Sequence, residues 1–517
     1  MKFKGLLLGS AAALLAVGGA QAADLPVKAK AVEYVKICSL YGAGFYYIPG
    51  TDTCIKLGGY LRAEVALNTN ADYSGQFTGS GGAHNRLSNY YTMRAREDLN
   101  IDTRTATEYG VVRTFFDAVF SWTSGGYTGA GTGLTGGATA YDAAPAGTVG
   151  NGSVSGGALG VYYAFIQFAG FTMGKAVSQF DAPWTGYPGN NFDALVGGGN
   201  TVTGVNQFTY TADFGQGITA SFSAQDQSAY YQAGNINLGV PGTVLTAATG
   251  TGILGGAYGL NDIGGTRSPD LVAMVRVDQA WGLFQASVAA HDNHVGYYGA
   301  SEVTGHPDDK WGWAAQLALS IKNIPTGAGD VINVQGVYTD GATRYNFQPT
   351  ANPGTWSSFG STGLAGAYQS IGFASAPDTV FVTGGQQESI KTWGVRGAYT
   401  HNWDPYWNSA IYGAYAQVKF PGGAAAAVCA NFFALVATAA GTTCNPDFNI
   451  AQLGLITRWT PVKNLTFSAD FNWTHLDQKY SGAVGVPLLA TVAKPAATYE
   501  LKDQDSFTLL LRAQRNW

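Results

Sequence analysis

The segment IKLGGYLRAEVAL, residues 55–67, has a period of two: Ile55, Leu57, Leu61, Ala63, Val65 and Leu67 fall on one parity, and Lys56, Tyr60, Arg62 and Glu64 on the other. Successive side chains of a strand point to opposite faces, so this is a β-strand with one apolar and one polar side. LTFSADFNW (465–473) reads the same way, with Leu465, Phe467, Ala469, Phe471 and Trp473 against Thr466, Ser468, Asp470 and Asn472. So does the terminal FTLLLRAQRNW (507–517), where Phe507, Leu509, Leu511, Ala513 and Trp517 oppose Thr508, Arg512, Gln514 and Asn516.

About sixteen such segments occur, near 55–67, 91–104, 109–121, 158–168, 171–178, 204–213, 217–226, 269–279, 282–291, 310–321, 330–340, 390–401, 408–418, 449–459, 465–475 and 505–517. The connections alternate in length: short ones such as Phe168–Phe171, Gln279–Gly282 and Trp459–Leu465 trade places with long ones such as Trp122–Gly157, Gln227–Pro269 and Asp340–Ile390. An all-β chain with this pattern is expected to form a transmembrane antiparallel β-barrel with short periplasmic turns, long external loops and both termini on the periplasmic side. Tryptophans support the assignment, since Trp281, Trp403, Trp407, Trp459 and Trp517 lie at short-turn ends and Trp122, Trp311, Trp313 and Trp473 at long-loop ends, as two interfacial girdles would place them. A soluble sandwich shares the period, but sixteen regular strands in one soluble sheet would be unusual.

Composition points the same way. Charged residues make up 12% of the chain, against about 25% in ordinary soluble domains, while aromatics reach 13% and glycine numbers 72. Residues 1–22 have a basic start (Lys2, Lys4), an apolar run and an A-x-A site at Ala20–Ala22, the marks of a secretory signal peptide. Removing Lys2 and Lys4 takes the formal charge from -5 to -7, which leaves no basic face for nucleic acid. Residues 23–54 then form a short periplasmic segment, and 55–517 the barrel.

Four cysteines fall into two close pairs, Cys38 with Cys54 and Cys429 with Cys444. In an exported chain these read as two local disulfides, and no histidine sits at metal-ligand spacing from either pair. The Ala-rich stretch 424–440 is interrupted by Asn431 and bracketed by Gly423 and Gly441; it is expected to be a disulfide-closed loop with a helical turn. The G-x-G-x-x-G matches at Gly131–Gly136 and Gly250–Gly255 precede no helix and arise from loop composition. The six histidines are scattered and no G-x-S-x-G elbow occurs, so neither catalytic residues nor a metal or cofactor are expected.

Two charged groupings stand out. Arg62, Arg94, Arg96 and Arg113 share the polar parity of the first three strands with Glu64, Asp98 and Asp117. On the lipid side each arginine would cost about 2–4 kcal/mol near the bilayer centre, so they are expected to line the lumen, either as an ion-pair ladder or as a field-setting wall. The loop near 179–203 carries Asp181 and Asp193 among Pro183, Trp184 and Pro188. Folded into the lumen, it would bring Asp181 and Asp193 opposite the arginine wall and narrow the channel; lying outside, it would be an ordinary external loop.

At ADLPVKAK (23–30), VKICSLYGAGF (35–45), CIKLGGYLRAEV (54–65), the Arg94-Ala-Arg96 triplet and the strand ending in Trp517, the chain resembles the general porins of alphaproteobacteria. The resemblance implies a sixteen-stranded barrel in the bacterial outer membrane, assembled as a homotrimer among lipid and lipopolysaccharide. It also implies passive diffusion of small hydrophilic solutes and ions, with the third external loop, here 179–203, as the constriction. Phe507, Leu509, Leu511 and Trp517 would then signal the barrel assembly machinery. A substrate-specific channel and a receptor or adhesin barrel are the alternatives.

Overall fold

A computed structural model describes residues 36–68, 90–123, 158–184, 188–192, 195–201, 203–226, 233–239, 260–347, 355–486 and 494–517. The expected leader, both G-x-G-x-x-G matches and Asp193 lie outside the described residues.

Sixteen strands, each hydrogen-bonded antiparallel to the next, close into a barrel. They are β1 (Thr53–Asn68), β2 (Tyr91–Thr107), β3 (Gly110–Thr123), β4 (Ala158–Phe168), β5 (Phe171–Ala176), β6 (Val205–Asp213), β7 (Ile218–Gln225) and β8 (Asp270–Gln279). The second half comprises β9 (Gly282–Asn293), β10 (Lys310–Lys322), β11 (Val331–Asp340), β12 (Lys391–Asn402), β13 (Trp407–Lys419), β14 (Phe448–Val462), β15 (Leu465–Gln478) and β16 (Gln504–Asn516). Pairing of β1 with β16, from Tyr60 opposite Asn516 to Asn68 opposite Thr508, joins the ends and leaves no free edge.

The parity read in the sequence sorts the side chains. On β1, Leu57, Leu61 and Leu67 are exposed on the outer surface while Arg62 and Glu64 are buried; on β16, Phe507 and Leu511 are exposed and Thr508 is buried. Tight turns reverse the chain at one end, as at Phe168–Phe171, where Ala169 and Gly170 both take positive φ (49° and 86°), the twist that two-residue hairpins favour. Trp407 and Trp459 stack across β13 and β14 at that end with ring centroids 5.8 Å apart.

At the opposite end the long connections fold. Thr355–Gly360 and Gln369–Ser375 form a hairpin whose second strand runs parallel to Ala497–Leu501; Gly482–Val486 and Ala437–Thr438 complete a five-stranded sheet. The Ala-rich stretch is a helix, α1 (Gly422–Leu435), longer than the single turn expected, and its Ala424, Val428 and Phe432 are buried. These loops share a hydrophobic cluster with inward residues of the wall itself, including Phe448, Ile450, Leu476 and Leu510. Apolar side chains on the inward parity are thus covered by loops rather than by water.

Both disulfides are present, Cys38–Cys54 and Cys429–Cys444, with Cα–Cα separations of 6.0 and 5.6 Å. The first pins Ser39–Tyr47 beneath β1, where Tyr46 and Tyr47 pair with Ile55 and Cys54. The second ties α1 to the segment that leads into β14.

Candidate functional site

On β1–β3 and β16 the inward parity carries interleaved charges. Glu64 lies opposite Arg94 on one side and Arg512 on the other. Its carboxylate meets Arg512 Nε at 2.5 Å, Arg62 Nη1 at 3.6 Å and Arg94 Nη1 at 4.0 Å. Arg62 Nε also donates to Gln514 (3.0 Å), and Arg96 Nε to Ser121 Oγ (2.9 Å). Asp98 accepts from Asn100, and Asp117 is buried two residue pairs away on β3, across from Asn100. Nearer the periplasmic end, Asp102 accepts from both Arg104 and Arg113 at 3.0–3.2 Å. Aromatic rings line the same wall: the Arg113 guanidinium lies 5.0 Å from the Phe115 ring centre and 5.5 Å from that of Phe165.

In the connection between β5 and β6, the described residues 177–184, 188–192, 195–201 and 203–204 bend back onto the inner surface of the other strands. Phe180 O accepts from Gln285 Nε2 of β9 (3.2 Å) and Gln316 Nε2 of β10 (2.9 Å). Pro188 O accepts from Asn333 of β11, Leu195 O and Gly199 O from Arg396 of β12, Gly189 O from Arg458 of β14, and Asn191 O from Arg512 of β16. In return Val196 N donates to Gln452 (2.9 Å) and Asn191 N to Asp470 (2.6 Å). Gly197 passes so near the wall that a Cβ there would sit 2.6 Å from the Val395 carbonyl, and its φ is +93°; only glycine suits that approach. Phe192, Leu195 and Val196 bury their side chains in the main hydrophobic cluster.

The structure therefore brings Arg62, Glu64, Arg94, Arg96, Asp98, Arg113 and Asp117 together on one inner wall. Asp181 is elsewhere. Its carboxylate is 1% exposed and accepts from Thr201 N (2.7 Å) and Thr201 Oγ1 (2.5 Å), so it fastens the two ends of the loop to each other and does not reach across to the arginines. Burial raises its pKa to about 6, against the opposing hydrogen bonds from Thr201 and the nearby Arg396. Sequence reasoning missed Asp102, Arg104 and Arg512, and the loop-gripping Arg396 and Arg458. Each sits in a strand that the alternation had already delimited, so a full count of charges on the inward parity would have found them.

The exposures of the two walls differ. Side chains of Arg94, Arg104 and Arg113 remain 19%, 29% and 28% exposed, whereas Gln285, Gln316, Gln335 and Arg396, under the loop, are each 2% exposed or less.

A profile described as a porin subfamily matches residues 24–510. Porin Omp2b of Brucella suis biovar 1 is 31% identical over 359 residues, which is 69% of this chain and 78% of that protein; Porin Omp2b of Brucella canis is 30% identical over the same shares. Among solved structures, the outer membrane channel DcaP of Acinetobacter baumannii superposes with a TM-score of 0.53 at 15% identity, covering 91% of this chain and 99% of that one, a likeness of fold.

Proposed function

Because this chain belongs to the porin subfamily and is a general porin of the bacterial outer membrane, a channel for small hydrophilic solutes, we propose that solutes cross between the arginine wall of β1–β3 and β16 and the inward loop 177–204. The contrast in exposure between those two walls carries the reading. Where the loop lies against the wall, the side chains beneath it are buried. On the arginine wall Arg94, Arg104 and Arg113 stay partly exposed, with the buried Arg62, Glu64, Asp98 and Asp117 between them. Arg62, Arg94, Arg96 and Arg113, with Glu64, Asp98 and Asp117, then set the field of the narrow section, and the loop sets its width.

Among the named inward residues of β1–β3 and β16, six guanidinium groups (Arg62, Arg94, Arg96, Arg104, Arg113, Arg512) face four carboxylates (Glu64, Asp98, Asp102, Asp117). Charges of both signs give weak selectivity, and the excess of arginine leans it toward anions. The reading gives the chain no enzymatic role and no cofactor.

A homotrimer is part of the proposal. A membrane strand needs about 9–11 residues to cross the bilayer, yet β5 has 6 and β7 has 8. Their outward faces carry exposed Phe171 and Phe222, next to Phe208 and Tyr210 of β6. A wall too short for lipid and rich in aromatics suits contact with a second copy. Single-channel recording in planar bilayers tests the whole reading: conductance steps in threes, with current linear in salt, are expected. Single-sized steps that saturate with solute would favour a monomeric, substrate-specific channel.

A further inference from the structure

Behind the loop, where β8 begins and β9 ends, His291 is buried with no exposed side-chain surface between two equally buried aspartates. Its Nδ1 is 2.9 Å from Asp270 Oδ1, and its Nε2 is 3.6 Å from Asp378 Oδ2. Asp270 belongs to the wall, but Asp378 belongs to the long connection after β11. That connection also supplies Tyr345, whose hydroxyl donates to Asp270 Oδ2 at 2.6 Å. Asp378 in turn accepts from Thr343 N and from Ala233 N, both at 2.6 Å. Buried charges are tolerated only when paired and hydrogen-bonded, so the cluster is a fixed point to which two external connections are fastened.

Its position bears on the inward loop. Tyr345 packs edge-on against Phe180, ring centres 4.5 Å apart, near the loop's start. Asn346, the next residue, accepts from Gly197 N near the loop's end, through its backbone oxygen at 3.1 Å and its side-chain oxygen at 3.0 Å. One short helical turn, Arg344–Phe347, thus grips the loop at both ends.

We propose that His291, with Asp270 and Asp378, is a positioning residue of the channel: it anchors the 344–347 turn that holds the inward loop against the wall, and so keeps the narrow section open. The inference rests on the reading of residues 177–204 as the constriction.

The test uses full-length protein purified from the outer membrane and single-channel records at fixed voltage. Tyr345→Phe keeps the ring on Phe180 but removes the donor to Asp270. It should raise the fraction of time spent in closed or reduced-conductance states about tenfold, the equivalent of about 1.4 kcal/mol. His291→Gln should do the same or more. His401→Gln is the control, because it loses a comparable bond, to Asp330 at 2.7 Å, at the periplasmic rim and away from the loop. Records of Tyr345→Phe identical to wild type would overturn the proposal, and so would an equal rise in the control. If His291→Gln fails to assemble, Tyr345→Phe decides alone. A failure of the constriction reading shows separately, as an unchanged reversal potential when Arg94 and Arg96 are replaced by serine.

Discussion

Replacing Arg94 and Arg96 together with serine removes two positive charges from the wet wall and leaves four guanidinium groups against the same four carboxylates. Serine is also shorter, so the section widens and conductance should rise. For an ion passing about 7 Å away in water, each charge contributes about 0.6 kcal/mol before screening. Two charges acting with opposite sign on cation and anion shift their relative free energy by about 2.4 kcal/mol. At 0.1 M salt, where the Debye length is about 10 Å, roughly half survives, about a sevenfold change in the cation-to-anion permeability ratio. At 1 M the length is about 3 Å and the change shrinks to less than about 1.5-fold. Reversal potentials across a salt gradient, taken in dilute and concentrated electrolyte, measure both. The double variant should move toward cations, strongly in dilute salt and barely in concentrated salt. A wild-type reversal potential at low ionic strength would refute the placement of these arginines beside the permeating ions, and an equal shift at both salts would refute the electrostatic origin.

Asp181→Asn, by contrast, should leave selectivity near wild type, because that carboxylate is enclosed by its own loop. Its effect is on pH: with a folded pKa raised to about 6 above an ordinary value near 4, the folded loop holds the proton more tightly, so its docking weakens as pH rises from about 4 through 6. Closing frequency recorded from pH 4 to 7.5 should show that trend in wild type and lose it in the variant; identical slopes would sink the argument. Replacing Cys38 and Cys54 with serine should leave the barrel intact but expose residues 39–53 to protease, since a bridge spanning 16 positions restrains the open chain by about 3 kcal/mol in the entropy treatment; free thiols at both positions in the outer-membrane protein would exclude the bond. Deleting Trp517, whose N–H donates to Gly59 O at 3.1 Å at the closing seam, should strand unassembled chain in the periplasm, and normal heat-modifiable oligomers of the truncated protein would count against a terminal assembly signal.

The barrel was legible because its outer face is written in every strand. Lipid demands an apolar side chain at each second position, and that demand is local, so Leu61, Leu67, Phe507 and Leu511 announce their strands without reference to any partner. The lumen makes a weaker demand. It accepts Arg113 beside water, Gln285 beneath a loop carbonyl and Leu510 beneath a loop's apolar core, and the last two fates depend on segments far away in the chain. Asp181 shows the consequence. By parity and composition it was a carboxylate on an inward loop, indistinguishable from one facing the pore, and only its bonds to Thr201 reveal that it closes the loop on itself. The external sheet of 355–375, 437–438, 482–486 and 497–501 was unreadable for a related reason: its strands are short, one pairing is parallel, and they are assembled from three separate connections. A wall selected by lipid carries its own periodic signature, whereas a passage shaped by loops is specified by pairs of residues that meet only after the wall has closed. Changes at Arg94 or Arg96 should therefore alter what crosses, and changes at Tyr345 or Gly197 should alter how long the passage stays open.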